Sequence, residues 1–187
     1  RNAAAVIRTV ELRLASHLDA LDALHSVYIA SDDVTAAEFR SATAVWLRKL
    51  PSVQALGWHE RVAREALPAF EAAARAEGHA GYRVFDRDPV AASDPAVYAM
   101  RRVEPRRGND IALGVNVLSI PAARAAIARA EAGDAAVASA AFRLTQESEH
   151  QAGVVVYRAV HGPRGPAGGP PRGLVFLTMR MEDALAR

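Results

Sequence analysis

The chain has 187 residues, 51% of them hydrophobic and 24% charged, a composition typical of one globular domain with its own core. It contains no cysteine, which excludes disulfides, cysteine-ligated metals and thiol nucleophiles, and its formal net charge of only +2 does not predict a nucleic-acid-binding surface. No apolar run approaches the roughly 20 residues of a membrane span. The chain begins Arg1-Asn2-Ala3, without an initiator methionine or signal peptide, so we expect a segment of a longer protein.

Residues 3–30 predict one long amphipathic helix, because apolar residues recur there at steps of three and four with charged residues between them. Its narrow apolar stripe fits a parallel seam between two copies of the chain as well as packing on its own domain, and both alternatives stay open. We expect a homodimer through this helix. The stripe consists of Val6, Val10, Leu14, Leu18 and Leu21.

A second helix is predicted to follow, since Thr35 and Glu38 have the spacing of a capping box and Pro51 marks the stop. The two helices are expected to form a hairpin. Residues 1–52 are therefore interpreted as a helical stalk and hairpin, and residues 53–187 as the sheet-containing unit of the same domain.

From Pro51 onward, strand-like and helix-like segments alternate, which predicts an α+β fold with a mixed, mainly antiparallel sheet and inserted helices. The segment Ser119-Ile120-Pro121 is expected to cap the second inserted helix, and Gly133 to end it. The glycine- and proline-rich residues 162–173 predict a flexible tether. Strands are expected at 53–62, 81–85, 97–104, 111–118, 137–145, 153–160 and 174–181, and helices at 63–76, 121–132 and from 182.

Candidate catalytic groups are few. The six histidines are scattered, and His17 and His25, which share a helix, are two turns apart and too distant for joint metal ligation. His59 beside Glu60, and His150, are expected to be ordinary polar residues of loops or strand edges. No nucleophile elbow or phosphate-binding loop is present, so neither a metal, a cofactor nor a catalytic site is predicted.

Six segments occur in an order and at spacings that resemble the CHASE family, the cyclases/histidine kinases associated sensory extracellular domains. They are LGWHERV (56–62), FEAAARAEGHAGYRVF (70–85), VEPRRGNDIALGVNVLS (103–119), ARAAIARAEAGDAAVAS (123–139), FRLTQE (142–147) and AGVVVYRAV (152–160).

The resemblance implies a PAS-like sheet domain in a periplasmic or extracellular location, preceded by a long helix that rises from a first membrane span. It implies a small-molecule ligand and a histidine kinase or diguanylate cyclase as output. Two alternatives to a ligand sensor stay open. One is a ligand-free structural dimerisation module of such a receptor, and the other is an enzyme, which no motif in the sequence supports.

In the plant cytokinin receptors of this family an Asp at the end of one strand anchors the adenine ring, and that position falls here on Pro105, with Glu104 before it. Proline offers no side-chain acceptor, so binding of adenine-type cytokinins is expected to be weak. A polar residue that approaches the ligand in the family corresponds to Ser139. The family's LGxD ends here in Asn116, which is expected to serve a turn or cap equally well.

The resemblance places the ligand between the sheet and the segment 110–130. Arg102 is expected either in solvent or in this pocket, where it would select a carboxylate or phosphate. The full set of candidate ligand-binding residues is Arg102, Glu104, Leu113, Ser139, Leu144, Val155 and Tyr157.

Overall fold

The computed structural model describes residues 3–88, 93–144, 152–162 and 169–180, and of the first helix's side chains only those from residue 11 onward, without residue 13. Within these ranges, the helices are α1 (Ala3–Ala30), α2 (Ala36–Lys49), α3 (Leu67–Ala76) and α4 (Pro121–Glu131). The strands are β1 (Val53–Ala63), β2 (Phe85–Asp86), β3 (Ala96–Glu104), β4 (Val115–Asn116), β5 (Val137–Ala138), β6 (Phe142–Arg143), β7 (Ala152–Val160) and β8 (Gly173–Arg180).

The strands form one mixed, mostly antiparallel sheet in the order β2-β4-β3-β1-β8-β7-β5, with β6 also paired to β7. The parallel pair is β2 with β4, and the long strands β1, β3, β7 and β8 are antiparallel neighbours. The predicted α+β, PAS-like fold is confirmed.

Two apolar layers cover the sheet. On its inner face, α4 packs its alanine-rich side against residues such as Met100, Tyr157 and Phe176. On its outer face, α1 and α2 cover residues such as Trp58 and Leu177. Side chains alternate between the two faces along each strand, so a residue's position in a strand decides which layer it joins.

The predicted capping box of α2 is confirmed. The backbone N–H of Glu38 donates to the Thr35 hydroxyl oxygen at 3.2 Å, and the Thr35 N–H donates to the Glu38 carboxylate at 2.8 Å. These reciprocal bonds satisfy two backbone donors at the start of the helix and fix the turn between α1 and α2.

Only Phe85 and Asp86 form a strand in the region where residues 81–85 were predicted as one. The backbone of this segment bonds instead to side chains of α3: the Val84 N–H donates to the Glu71 carboxylate, and Arg75 donates to the Tyr82 carbonyl. These side-chain partners replace the backbone hydrogen bonds to a neighbouring strand that a longer β-strand would need.

The prediction of an extended segment at 111–118 is wrong over most of its length. Two 3-10 turns, Asp110–Ala112 and Val117–Ser119, flank the two residues of β4. Gly114 turns the chain with φ of +86°, and a Cβ there would lie 2.0 Å from the Arg83 carbonyl oxygen. Asn116 accepts a hydrogen bond from the Leu118 N–H, which is the capping role expected for it.

α4 begins within the predicted segment Ser119-Ile120-Pro121, although the Ser119 side chain does not cap it. The N-cap residue is Ile120, and the Ser119 hydroxyl donates to the Asn116 carbonyl and accepts from the Arg87 N–H. Gly133 follows the C-cap residue Ala132 as expected.

The predicted strand at 137–145 is interrupted between β5 and β6. The interruption is held by Ser139, whose N–H donates to the Val155 carbonyl and whose hydroxyl accepts from the Val155 N–H. Residue 145 and the helix predicted from residue 182 lie outside the described residues.

The interpretation of 162–173 as a mere tether is wrong at its C-terminal end; residues 163–168 lie outside the described part. Pro171 is buried, and the guanidinium of Arg172 lies over the rings of Tyr28 and Trp58 at 5.9 and 5.7 Å. Arg172 also donates to the Ser31 carbonyl, so this end of the loop is fastened to the α1–α2 turn.

Candidate functional site

The inner face of the sheet encloses a small cavity, here called the inner cavity. Its volume is about 30 Å³, enough for about two water molecules, and its walls come from β1, β3, β7, β8 and the segment leading into α4. Most of the lining is apolar and includes Met100, Val117, Val155, Tyr157 and Phe176.

His59 is the unusual member of this wall. Its side chain is 1% exposed, and neither ring nitrogen has a hydrogen-bond partner among the described residues. The ring packs against Phe176, with centroids 4.4 Å apart, and against Tyr157 at 6.1 Å. Burial lowers the pKa of His59 to about 3, because the apolar surroundings disfavour the charged form. At neutral pH it is therefore an uncharged ring with one donor and one acceptor.

Asn109 adds a second polar atom to the cavity wall. Its side-chain N–H donates to the Pro105 carbonyl at 2.8 Å, while its Oδ1 is buried and has no partner in the described part of the chain. The inner cavity thus combines apolar walls with a donor and two acceptors. This arrangement suits a small uncharged group such as a hydroxyl or an aromatic nitrogen.

The structure divides the predicted ligand residues among separate places. The inner cavity is lined by Leu144, Val155 and Tyr157. Ser139 is buried beside the cavity, where its hydroxyl accepts a hydrogen bond from the Val155 N–H. The other three lie elsewhere, which disperses the predicted site.

Glu104 and Leu113 line a shallow cleft of about 20 Å³ at the end of β3. The Glu104 carboxylate lies 3.6 Å from the Arg40 guanidinium and accepts from the Arg106 N–H. It does not reach the inner cavity, so it is not placed to replace the family's adenine-anchoring Asp.

Arg102 borders the same cleft as Glu104 and Leu113, and it also lines a larger depression on the opposite face of the sheet from the inner cavity. This depression, the outer pocket, has a volume of about 540 Å³. Its walls come from the end of α1, the α1–α2 turn, β1, β3, α3 and the loop before β8. Arg102 is 9% exposed, so the expectation that it stands free in solvent is wrong.

A β-bulge explains why two consecutive arginines face this pocket. Trp58 pairs with Arg102 and His59 with Met100, so Arg101 is an additional residue in β3. Both guanidinium groups bind the carboxylate of Glu77, at 2.7 Å from Arg101 and 3.1 Å from Arg102.

The outer pocket contains charges of both signs. Glu60 lies half-buried on its wall, and burial raises the pKa of its carboxyl, although Arg101 and Arg102 oppose that shift. Arg172 pairs with Asp32 at 3.2 Å. Most of the hydrogen-bond donors of the outer pocket belong to Arg101 and Arg102.

Sequence reasoning missed His59, Asn109 and Arg101 as wall residues. A signal for His59 was available, because strand alternation puts it on the same face as Ala55 and Gly57, which must face the core. For Arg101 no signal existed, since simple alternation assigns it and Arg102 to opposite faces.

A sequence profile of the CHASE domain matches residues 32–187, which include α2 to α4 and the whole sheet. The chain belongs to the CHASE family. CHASE domains are extracellular sensory domains of receptors and are not catalytic. The matched stretch begins after α1.

A search of curated proteins found no match to this CHASE domain. Within the described residues, no helix is long and apolar enough to cross a bilayer. No group of three or more His, Asp or Glu side chains in the same ranges could hold a metal ion.

Proposed function

We propose that this CHASE domain senses a small uncharged molecule in the inner cavity, as the extracytoplasmic, membrane-anchored part of a receptor with histidine kinase or diguanylate cyclase output. The observation that carries the proposal is the fully buried, unpartnered imidazole of His59 on the cavity wall. An unpaired buried polar group costs about 1–3 kcal/mol. A ligand that supplies the missing hydrogen bonds removes that cost.

The chemistry of the wall selects the ligand's polarity. Because the pKa of His59 is lowered to about 3, the ring stays neutral and recognises hydrogen-bonding groups rather than anions. Tyr157 is equally enclosed, and burial raises the pKa of its hydroxyl, so it adds no negative charge. A partly apolar compound with one hydroxyl, amide or ring nitrogen fits this wall.

A ligand larger than two water molecules requires one wall to move. The weakest wall is β6, which contributes only Phe142 and Arg143 to pairing with β7. Phe142 is half-buried and lines the cavity, so its outward rotation enlarges the space without breaking the long strands.

Strand β7 connects the inner cavity to α1. On β7, Val155 and Tyr157 face the cavity, whereas Val156 packs in the layer beneath α1. The His25 ring of α1 also lies 3.0 Å from the Ala159 carbonyl of β7. We infer that a shift of β7 on ligand binding moves α1, which is the relay toward the membrane.

α1 also offers a surface to a second copy of the chain. Leu14 and Leu18, one turn apart, are 44% and 42% exposed and form one exposed side of α1, whereas Leu12, 65% exposed, lies on a different side. We infer that this exposed side forms a parallel pair in the receptor, which brings both N-terminal ends together. Leu21 was assigned to the same seam, and that part of the prediction is wrong, because Leu21 is fully buried on its own sheet.

A thermal-shift screen of small uncharged alcohols and azoles tests the sensing proposal. A compound at 100 times its Kd adds about 2.7 kcal/mol of stability, or about 5–10 °C in Tm for a domain of this size. His59→Leu should abolish the shift, and His161→Gln, outside the cavity, should retain it. Hydrogen exchange on the same complex should slow in α1.

Hits that bind His59→Leu as well as the parent chain would overturn the site. A complete absence of hits would favour the alternative, a ligand-free dimerisation module.

A further inference from the structure

We propose that the outer pocket is a second ligand site, which takes a small organic carboxylate between Arg101 and Arg102, where the Glu77 carboxylate now lies. The pocket is on the opposite face of the sheet from His59, and its chemistry differs. Ligand binding in the outer pocket can therefore be tested independently of the inner cavity.

Hydrogen-bond capacity at the two arginines exceeds what the chain supplies. A guanidinium carries five N–H donors. Among the described residues, hydrogen bonds occupy one nitrogen of Arg101 and two of Arg102. The Nη1 of Arg101 is buried with no acceptor in those ranges, although its guanidinium also lies 5.2 Å from the Phe70 ring centroid.

Burial strengthens the hydrogen bonds that the free N–H donors of these arginines can make. Arg101 and Arg102 are 5% and 9% exposed, so little water competes for their donors. A carboxylate accepts two parallel N–H bonds from one guanidinium, and such charge-assisted bonds are about twice as strong as neutral ones.

Glu77 marks the position of the ligand's carboxylate. It lies just after α3, its side chain is 39% exposed, and among the described residues it alone bridges the two arginines. Its side chain can rotate into solvent when a ligand carboxylate replaces both of its ion pairs, because no arginine is then left with an unpaired buried charge. A ligand carboxylate then takes the same two partners and can reach further donors.

The other acidic groups of the pocket limit the ligand to low charge. Asp32 is already paired with Arg172. Glu60 lies on the same wall, and its half-buried carboxyl has a raised pKa. A monocarboxylate meets less repulsion from Glu60 and Asp33 than a phosphate dianion would.

The half-buried Phe70 ring on the pocket wall favours a ligand with a flat apolar part. The rings of Tyr28 and Trp58, stacked with centroids 4.0 Å apart, also line the pocket but are covered by the Arg172 guanidinium. Arg102 also donates to the Val34 carbonyl in the α1–α2 turn. The site thus joins β3, α3 and the end of α1.

Benzoate is the test probe, with benzamide as the uncharged control of the same shape. We expect calorimetry at neutral pH to detect benzoate binding, with benzamide at least about tenfold weaker. Benzoate should also shift the NMR signal of the Trp58 indole. Equal binding of both probes, or no benzoate binding, would overturn the proposal.

Glu77→Gln is the decisive variant, because it removes the competing carboxylate and preserves the shape. We expect it to bind benzoate more tightly than the parent chain, by about threefold or more. A purely structural role for the ion pairs predicts lower stability and no gain in affinity, and that result would contradict the proposal.

Arg102→Gln should weaken benzoate binding by about tenfold or more. Arg158→Ala removes one arginine from the same sheet away from the pocket, and it should leave the affinity unchanged. If Arg102→Gln does not fold, the comparison of Glu77→Gln with the parent chain still decides. His59→Leu should bind benzoate normally, which separates this site from the inner cavity.

Discussion

The ring of His59 lies 4.4 Å from the ring of Phe176, centroid to centroid, in the middle of two adjacent strands and away from solvent. A neutral imidazole is accommodated in this position, but an imidazolium is not. The contact therefore ties the stability of the domain to the protonation of one side chain.

We expect the free energy of unfolding to fall as the pH drops from about 6.5 toward 3, by up to about 1.4 kcal/mol per pH unit. The sign follows because the pKa of His59 is lowered from 6.5 to about 3 in the folded state. Between these values the unfolded chain binds the proton and the folded chain does not. Urea unfolding at several pH values measures this slope.

His59→Leu should reduce the slope over this range. Part of the slope should remain, because burial also lowers the pKa values of His25 and His79. The same steepness in His59→Leu as in the parent chain would show that other groups cause the pH dependence.

Gly57→Ala should destabilise the fold by about 1–3 kcal/mol, the usual cost of overpacking. A Cβ at Gly57 would lie 2.1 Å from Cζ of Phe176 and 2.7 Å from the Arg102 carbonyl oxygen, and the backbone atom cannot move easily. Gly81→Ala is the matched control, because its Cβ would meet nothing within 4 Å. Chemical denaturation of the two variants should separate them, and equal midpoints would contradict the packing argument.

The long elements were predictable from sequence because one local signal dominates each of them. The 3.6-residue period of α1, the Thr35 and Glu38 capping pair, and the apolar runs of β1, β7 and β8 each point to a single structure. The short elements were not predictable. The Asn116 side chain accepts from the Tyr98 backbone N–H and donates to the Asp86 carboxylate, and a local pattern does not contain these contacts with distant segments.

The binding residues were harder to predict for the same reason. Tyr157 and Val155 were predicted as ligand-binding residues, and the structure has them on the wall of the inner cavity. Arg101 and Arg102 share a face only because a bulge inserts one residue opposite β1. A bulge is set by the register of two strands, so the sequence of β3 alone does not reveal it.

Replacing Leu14 and Leu18 together by Glu should shift the chain toward monomer in sedimentation velocity. Both side chains lie on the exposed side of α1, where a second copy would cover them and where like charges would then repel. The side chains of Val6 and Val10, which complete the predicted stripe, lie outside the described part. Val45→Glu on α2 is the control, since it adds a charge at another exposed apolar position. A parent chain that sediments as a monomer at tens of micromolar would remove the basis for the pair.

Adenine carrying an apolar N6 substituent should bind this CHASE domain weakly or not at all. The position expected to carry the adenine-anchoring Asp is Pro105, which has no side-chain acceptor. Its neighbour Glu104 is directed to Arg40 and to the Arg106 N–H, outside the inner cavity. Within the cavity, the donor and the acceptor of the neutral His59 ring point in different directions, whereas an aminopurine needs an acceptor and a donor side by side in one plane. Calorimetry measures the affinity directly, and micromolar binding would contradict the prediction. Loss of that binding in Glu104→Gln would show that Glu104 turns inward to replace the missing Asp. Binding that is retained in Glu104→Gln but lost in Asn109→Leu would assign the acceptor to Asn109.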